Sequence, residues 1–104
     1  MSALPDQIIS IDDFIDGNHP NLDVAERIAI AVVAAITSDA HTVIGVNVNG
    51  LSGVSSSFFN LFFTIVFEAC GRETTRDRVV VLSDSNAMSA IVQRSREAVL
   101  GDAA

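Results

Sequence analysis

The sequence contains no lysine, so its permanent positive charge comes from six arginines alone. Thirteen carboxylates outnumber these arginines, and the formal net charge is −7. Proteins that bind DNA, RNA or anionic lipid neutralise phosphates with clustered Lys and Arg side chains. The charge balance therefore excludes nucleic acid as an expected partner and indicates a solvated, acidic exterior.

Cysteines and long apolar runs are also scarce. Cys70 is the single cysteine, so the chain has neither an internal disulfide nor a second thiol for a cysteine-rich metal site. The longest apolar runs, such as residues 28–36, are far shorter than the roughly 20 residues that span a bilayer. The opening residues, MSALPDQ, also lack the features of a secretory signal. We therefore expect a soluble, cytoplasmic protein with no membrane partner.

Apolar residues are what the chain has in excess. They make up 49% of it, whereas charged residues make up 18%, below the usual share of roughly 25%. The length predicts one domain over residues 1–104, and a domain of this size removes only about two-thirds of its unfolded surface from water. Because a small core cannot easily hide so much apolar surface, we expect a protein partner or a homo-oligomer.

The hydrophobic pattern alternates between strand and helix. Strand patterns occur at residues 7–11, 42–49 and 78–83. The first helix is expected near Asp23, whose spacing to Glu26 matches a capping box, and should end at Thr37 or Ser38. The β-branched run at 78–83 is typical of a strand buried on both faces of a parallel sheet. The order β-α-β-α-β-α predicts an α/β fold with a small, mostly parallel sheet and crossover helices.

The second predicted helix carries most of the aromatic side chains. It follows a serine triplet and ends before Gly71, and its phenylalanines are Phe58, Phe59, Phe62, Phe63 and Phe67. On a helical wheel its apolar arc spans roughly 240°, whereas a helix packed on one face needs little more than 100°. A polar stripe of roughly 80° completes the wheel and consists of Ser57, Asn60, Thr64 and Glu68. Two explanations remain open: neighbouring helices cover the flanks of this arc, or a second protein does.

The turn before this helix combines groups that suit an anion. Free N–H groups and the positive end of the helix dipole are expected where the helix starts. A phosphoryl group on one of the serines would be partly stabilised there; alternatively, one serine merely caps the helix, which is worth about 1 kcal/mol. The candidate rim for a partner or an anion comprises Asn47, Asn49, Gly53, Ser55, Ser56, Ser57 and Asn60.

Catalysis is not indicated by any residue pattern. His19 lies in a predicted turn and His41 precedes a predicted strand, and neither has a sequence neighbour that would orient it. Cys70 falls on the apolar arc, where a thiol behaves as a small hydrophobe. The loop at residues 50–57 lacks the lysine of a nucleotide-binding P-loop. We therefore predict a non-enzymatic protein with no catalytic residue, no metal site and no cofactor.

The stretch at residues 41–71, HTVIGVNVNGLSGVSSSFFNLFFTIVFEACG, resembles the STAS-like domains of unknown function, which are related in pattern to the anti-sigma factor antagonists. The resemblance implies a STAS-like α/β fold and a signalling role beside an ATPase-type kinase or an anti-sigma-like regulator. It places Ser56 at the phosphorylated position. The sequence departs from the antagonists at Ser55, where they usually carry Asp, and at Phe58, where they carry Gly; Asn47 replaces an Asp found in many STAS-like domains.

Two functions remain open from the sequence. The favoured one is a regulatory protein–protein interaction module that resembles the anti-sigma factor antagonists and is switched by phosphorylation of Ser56. The alternative is a small-anion or small-ligand-binding protein whose pocket is the loop from Gly50 to Ser57.

Overall fold

The described residues form a three-stranded parallel sheet with four α-helices. The computed structural model describes residues 5–14, 22–49 and 55–101. The strands lie in the order β1-β2-β3 and comprise β1 (Gln7–Ser10), β2 (Ile44–Asn47) and β3 (Val79–Leu82). The helices are α1 (Leu22–Ser38), α2 (Ser56–Cys70), α3 (Arg72–Arg78) and α4 (Asn86–Leu100). A short 3-10 helix, Ile11–Phe14, follows β1. The predicted α/β fold with a parallel sheet and crossover helices is confirmed.

The element ends differ from the predictions in several places. Strand β1 ends at Ser10, because Ile11 begins the 3-10 helix, and β3 ends at Leu82. Helix α1 begins at Leu22, so Asp23 does not precede the helix but lies in its first turn, where it pairs with Arg27 at 3.2 Å. Strand β2 is shorter than the predicted 42–49. Arg78 ends α3 and does not begin β3. Helix α3 was not predicted, because the sequence RETTRDR has no apolar periodicity and buries only Thr75.

The helices cover one side of the sheet. From β1 to β3 the chain moves across the sheet in one direction, and right-handed crossovers then place α1 and α2 on the same face. Helix α2 packs against both α1 and α4, so it lies between them. Side chains of Ile44, Val46 and Val79 point into this helical layer and belong to the hydrophobic core.

Helix α2 is enclosed by its own chain. Phe58, Phe59, Phe62 and Phe63 are all at most 4% exposed. Their rings form two edge-to-face pairs, each with centroids 5.2 Å apart, a favoured aromatic geometry. The sheet, α1 and α4 therefore cover most of the wide apolar arc, although Leu61, Ile65 and Phe67 are half-buried and Ala69 is exposed. The explanation that a second protein must cover these four rings is wrong.

The face of the sheet opposite the helices is less buried than the sequence predicts for β3. Val79 is buried, but Val80 and Leu82 on the other face are only half-buried. On neighbouring β1, Ile8 is 60% exposed. The run at 78–83 is therefore not buried on both faces, because both crossovers run on the same side and no helix of the described residues covers the other.

Two arginines hold the ends of helices. Arg78 donates from Nε to the Thr42 carbonyl at 2.8 Å, and from Nη2 to the Ile36 and Asp39 carbonyls at the end of α1. Arg96 donates from Nη1 to the Val79 carbonyl at 2.9 Å and from Nη2 to the carbonyl of Arg76 near the end of α3. A cation at a helix C-terminus satisfies open carbonyls and matches the helix dipole.

In the parts of the chain that the structure describes, no helix is both long enough and apolar enough to cross a membrane.

Candidate binding rim and the helix-free sheet face

The candidate rim lies at the end of the sheet that contains the carboxyl termini of the parallel strands. Strand β2 ends at Asn47 and β3 at Leu82, so their carboxyl ends are neighbours. The helices that follow them start after Ser55 and Ser85. Gly53 lies outside the described residues, as does the rest of the segment from Gly50 to residue 54.

The two rim asparagines are bound to the backbone. Asn47 Oδ1 accepts a hydrogen bond from the Asn49 N–H at 2.9 Å, and Asn49 Oδ1 accepts one from the Asp84 N–H at 2.6 Å. These bonds link the segments that follow β2 and β3. Both amide oxygens therefore bind the backbone of the rim itself. The contact with a partner or an anion that was predicted for Asn47 and Asn49 would have to be made by their amide nitrogens.

The start of α2 differs from the start of α4. Ser55 precedes α2 in an extended conformation, and its side chain makes no capping hydrogen bond. At α4, the Ser85 Oγ accepts a hydrogen bond from the Met88 N–H at 3.1 Å, which is the usual cap. The first turn of α2 also has no acidic residue. The side chain of Ser55 therefore does not cap α2, and the alternative that a serine merely caps this helix is not supported.

All three serines at this helix start are exposed, as is Asn60 one turn later. The predicted polar stripe does face outward, although Thr64 is half-buried. The backbone of Ser56 is fixed from the other side, because the Ser95 Oγ donates to the Ser56 carbonyl at 3.2 Å. Ser95 is 2% exposed. Ser95 was not among the predicted site residues, although its spacing from Val92 and Val99 puts it on the inward side of α4.

One wide-open cavity lies away from this rim, at the junction of α2 and α3, where Cys70 and Gly71 contribute to its lining. Desolvation by burial raises the pKa of the Cys70 thiol, while the charge of Arg78 acts in the opposite direction. A thiol with a raised pKa is a poor nucleophile at neutral pH. Among the residues that the structure describes, no group of three or more His, Cys, Asp and Glu side chains could hold a metal ion.

The sheet order also bears on ligand binding. In open α/β sheets, small ligands bind at the carboxyl edge where the strand order reverses and the helices diverge to opposite faces. The described strands run β1-β2-β3 without a reversal. Their carboxyl edge therefore lacks the crevice that this kind of ligand site uses.

The second candidate surface is the face of the sheet opposite the helices, which we call the helix-free face. Register and alternation assign to it Ile8, Ser10, Gly45, Asn47, Val80 and Leu82. None of these residues is charged. A Cβ on Gly45 would lie 3.0 Å from the Leu82 Cδ1 and from Pro5 carbons, so these two side chains cover the middle of the face.

The sequence does not predict a site on the helix-free face. The only local signal for this face is the β-branched run at 78–83, and a strand buried on both faces would show the same run. Asn47 is the one residue that belongs to both the candidate rim and the helix-free face.

Comparison of the chain with protein-family models, with curated proteins and with solved structures finds no match. The resemblance to STAS-like domains therefore stays a prediction.

Proposed function

We propose that the protein is a non-enzymatic protein–protein interaction module that binds a partner through its helix-free face. The observation that carries the proposal is the one-sided covering of a parallel sheet. Parallel sheets are normally covered on both faces, whereas the described helices here lie on one side only.

The chemistry of the helix-free face suits a protein partner. Ile8, Val80 and Leu82 supply apolar area, and Ser10 and Asn47 supply hydrogen-bonding groups at one end. The centres of protein interfaces are depleted in charged residues. An uncharged face on a chain with a net charge of −7 can be covered without the cost of removing charges from water.

Regulation by phosphorylation of Ser56 is the second part of the proposal. Ser56 is exposed in the first turn of α2, where no side-chain cap and no acidic residue compete for the helix N-H groups. A phosphoryl group would add about 1.5 to 2 negative charges there and would be favoured by the helix dipole. The resemblance to STAS-like domains supports an ATPase-type kinase or an anti-sigma-like regulator as the partner in the cytoplasm.

Binding of a small anion is a second candidate function. The uncapped start of α2 favours it, and the unreversed strand order counts against a deep pocket. A thermal-shift screen with inorganic phosphate and small carboxylates tests it. A ligand at 100 times its dissociation constant would stabilise the protein by about 2.7 kcal/mol, and no shift in the unfolding temperature would rule this candidate out.

The test of the interaction module compares three immobilised forms of the protein as bait in an extract of its source cells. These are the wild type, Val80→Lys on the helix-free face, and Ala69→Lys on the exposed side of α2. Both variants add one positive charge, so the second controls for charge. A partner should be retained by the wild type and by Ala69→Lys and lost by Val80→Lys, and calorimetry with the purified partner should repeat that order.

A set of bound proteins that is the same for all three baits would contradict the proposal. The phosphorylation step is tested separately, by incubation with a kinase that the wild type captures. The mass should rise by one phosphoryl group, and Ser56→Ala should prevent it. An unchanged wild-type mass would remove the switch and leave the binding function standing.

A further inference from the structure

The outer strands β1 and β3 present backbone groups at both edges of the sheet. The Gln7 N–H donates to the Val43 carbonyl at 3.3 Å, toward β2. Backbone groups of successive residues in a strand point to alternate sides, and therefore those of Ile8 and Ser10 point away from β2. Lys, Pro or a covering segment usually protects such an edge. Within the described residues, Ile8 on β1 is an exposed apolar residue.

The edge of β3 is partly closed and partly open. The Val48 N–H donates to the Leu82 carbonyl at 3.0 Å, toward β2, so the groups of Val81 point outward. Arg96 donates a hydrogen bond to the Val79 carbonyl, which points to the same edge. Beside Val81, a groove of about 250 Å³ separates β3 from α4. Its lining includes Val81, Ser83, Ser89, Val92 and Gln93.

Charge distinguishes the two edges. Described residues 5–14 and 22–49, which include β1 and α1, contain six carboxylates and one arginine. Residues 71–101, which include α3, β3 and α4, contain five arginines and four carboxylates. The Arg78 guanidinium lies at the end of α1, where it contacts the Ile36 and Asp39 carbonyls, so the side of the molecule at β1 is acidic and the side at β3 is close to neutral. Two β1 sides repel each other, whereas a β1 side meets no such repulsion at a β3 side.

We propose that copies of this chain join edge to edge, with β1 of one copy added in parallel to the open edge of β3 in the next copy. This assembly goes beyond the proposed function, because it uses the sheet edges and needs no other protein. The occupant of the β3 edge is thus a second copy of this chain.

The register within the sheet extends across such a junction. Ile9, Val46 and Val81 are level in the three strands. With Ile9 of the added copy level with Val81, the Val81 N–H can donate to the Ile8 carbonyl of that copy, and its Ser10 N–H can donate to the Val81 carbonyl. The exposed Ile8 side chain of the added copy then lies beside Val80 on the helix-free face.

The contact joins two different surfaces, so every junction leaves one β1 edge and one β3 edge open. Such heterologous contacts build open chains or closed rings, and they do not stop at a dimer.

Sedimentation velocity on the full chain tests the polarity of this contact with two variants. Ile8→Lys places a charge on the β1 edge, and Val81→Pro removes the outward N–H donor of β3 at a position where an edge strand tolerates proline. The wild type and the control Ala69→Lys should form species larger than dimers as concentration rises from micromolar to millimolar. Each edge variant alone should remain monomeric.

An equimolar mixture of the two edge variants should form heterodimers and nothing larger, since one variant keeps its β3 edge and the other its β1 edge. Wild-type protein that stays monomeric would overturn the proposal. So would association of Val81→Pro with itself, which would indicate pairing between two β1 edges, or a mixture that stays monomeric. If circular dichroism shows that Val81→Pro is unfolded, Ser89→Glu in the groove replaces it, and the same outcomes decide.

The assembly and the partner-binding function fail independently. Loss of self-association in Val81→Pro leaves Val80 and the helix-free face intact, so partner capture should persist in that variant. If Val80→Lys and the wild type both fail to capture a partner while the wild type still assembles, the proposed partner-binding function is wrong. The edge-to-edge assembly would then still stand.

Discussion

Phe62 and Phe63 show how the aromatic side chains of α2 are used. Both are at most 2% exposed, and their rings meet edge to face. They lie on the side of α2 that is covered by the sheet and the two flanking helices. These rings therefore stabilise the protomer itself, and removing one should leave a cavity that the surrounding elements cannot fill.

Substituting Phe62 by Ala should lower the free energy of unfolding by roughly 3 to 5 kcal/mol, the usual cost of truncating a buried aromatic residue. Urea denaturation followed by circular dichroism measures this change. Phe67→Ala is the matched control, because Phe67 is only half-buried and its loss should cost clearly less. A cost below about 1 kcal/mol for Phe62→Ala, as for an exposed contact residue, would be inconsistent with its burial.

Arg78 joins parts of the chain that are distant in the sequence. Its guanidinium donates to three carbonyls, those of Ile36, Asp39 and Thr42, across the end of α1 and the segment before β2. The planar guanidinium can reach several acceptors at once, whereas the lysine ammonium is a single point of charge on a flexible stem. The geometry therefore requires Arg and not merely a positive charge.

Arg78→Lys should lower the free energy of unfolding by about 1 to 3 kcal/mol through the loss of charge-assisted hydrogen bonds. Arg94→Lys is the control, since Arg94 is exposed on α4, and its effect should stay within about 0.5 kcal/mol. Chemical denaturation of the two variants side by side gives the comparison. Equal stabilities would show that the Arg78 bonds contribute nothing.

At the level of helices and strands, α2 has no charged residue that complements its dipole. Its first turn contains no acidic residue and its last turn no basic one. Gly71 ends the helix with φ at 90°, in the region that favours glycine. The ends of α2 are therefore open to stabilisation or destabilisation by a single charge.

Ser56→Asp should raise the free energy of unfolding by about 0.3 to 1 kcal/mol, because the carboxylate lies at the positive end of the helix. Ala69→Asp adds the same charge at the other end and should lower it by a similar amount. The difference between these variants should shrink in high salt, since screening weakens exposed charges. Thermal unfolding at low and high salt provides the measurement, and shifts of equal sign would contradict a dipole effect.

The sequence predicts where most helices and strands lie better than it predicts which of their faces are covered. The hydrophobic pattern locates all three strands, although their ends differ by one or two residues. Local pattern does not reveal α3, whose residues are almost all polar. Nor does it show which side of β3 is covered, because that depends on the direction in which the crossovers move across the sheet. The polar side of the predicted rim follows from the sequence, whereas the roles of Arg78 and Ser95 depend on contacts between distant residues.

In the molecule as a whole, apolar side chains are exposed on both sides of the sheet. The helical side contains the core, including four enclosed rings of α2, but it also exposes Leu22 and Ile30 on α1. The other side leaves Ile8 exposed and Val80 and Leu82 half-buried. The core therefore accounts for only part of the excess of apolar residues, and the sheet is the exposed apolar surface that we propose as a contact.

Amide NMR spectra of the isotope-labelled wild type, recorded over a dilution series, test the proposed contact between sheet edges most directly. The expected result is a set of concentration-dependent shifts confined to β1, β3 and their flanking residues, with Ile8, Ser10 and Val81 among the largest. Shifts that instead cluster on the exposed stripe of α2 at Ser57, Asn60 and Glu68, or spectra that do not change with concentration, would contradict the proposal that copies of this chain associate through the edges of the sheet.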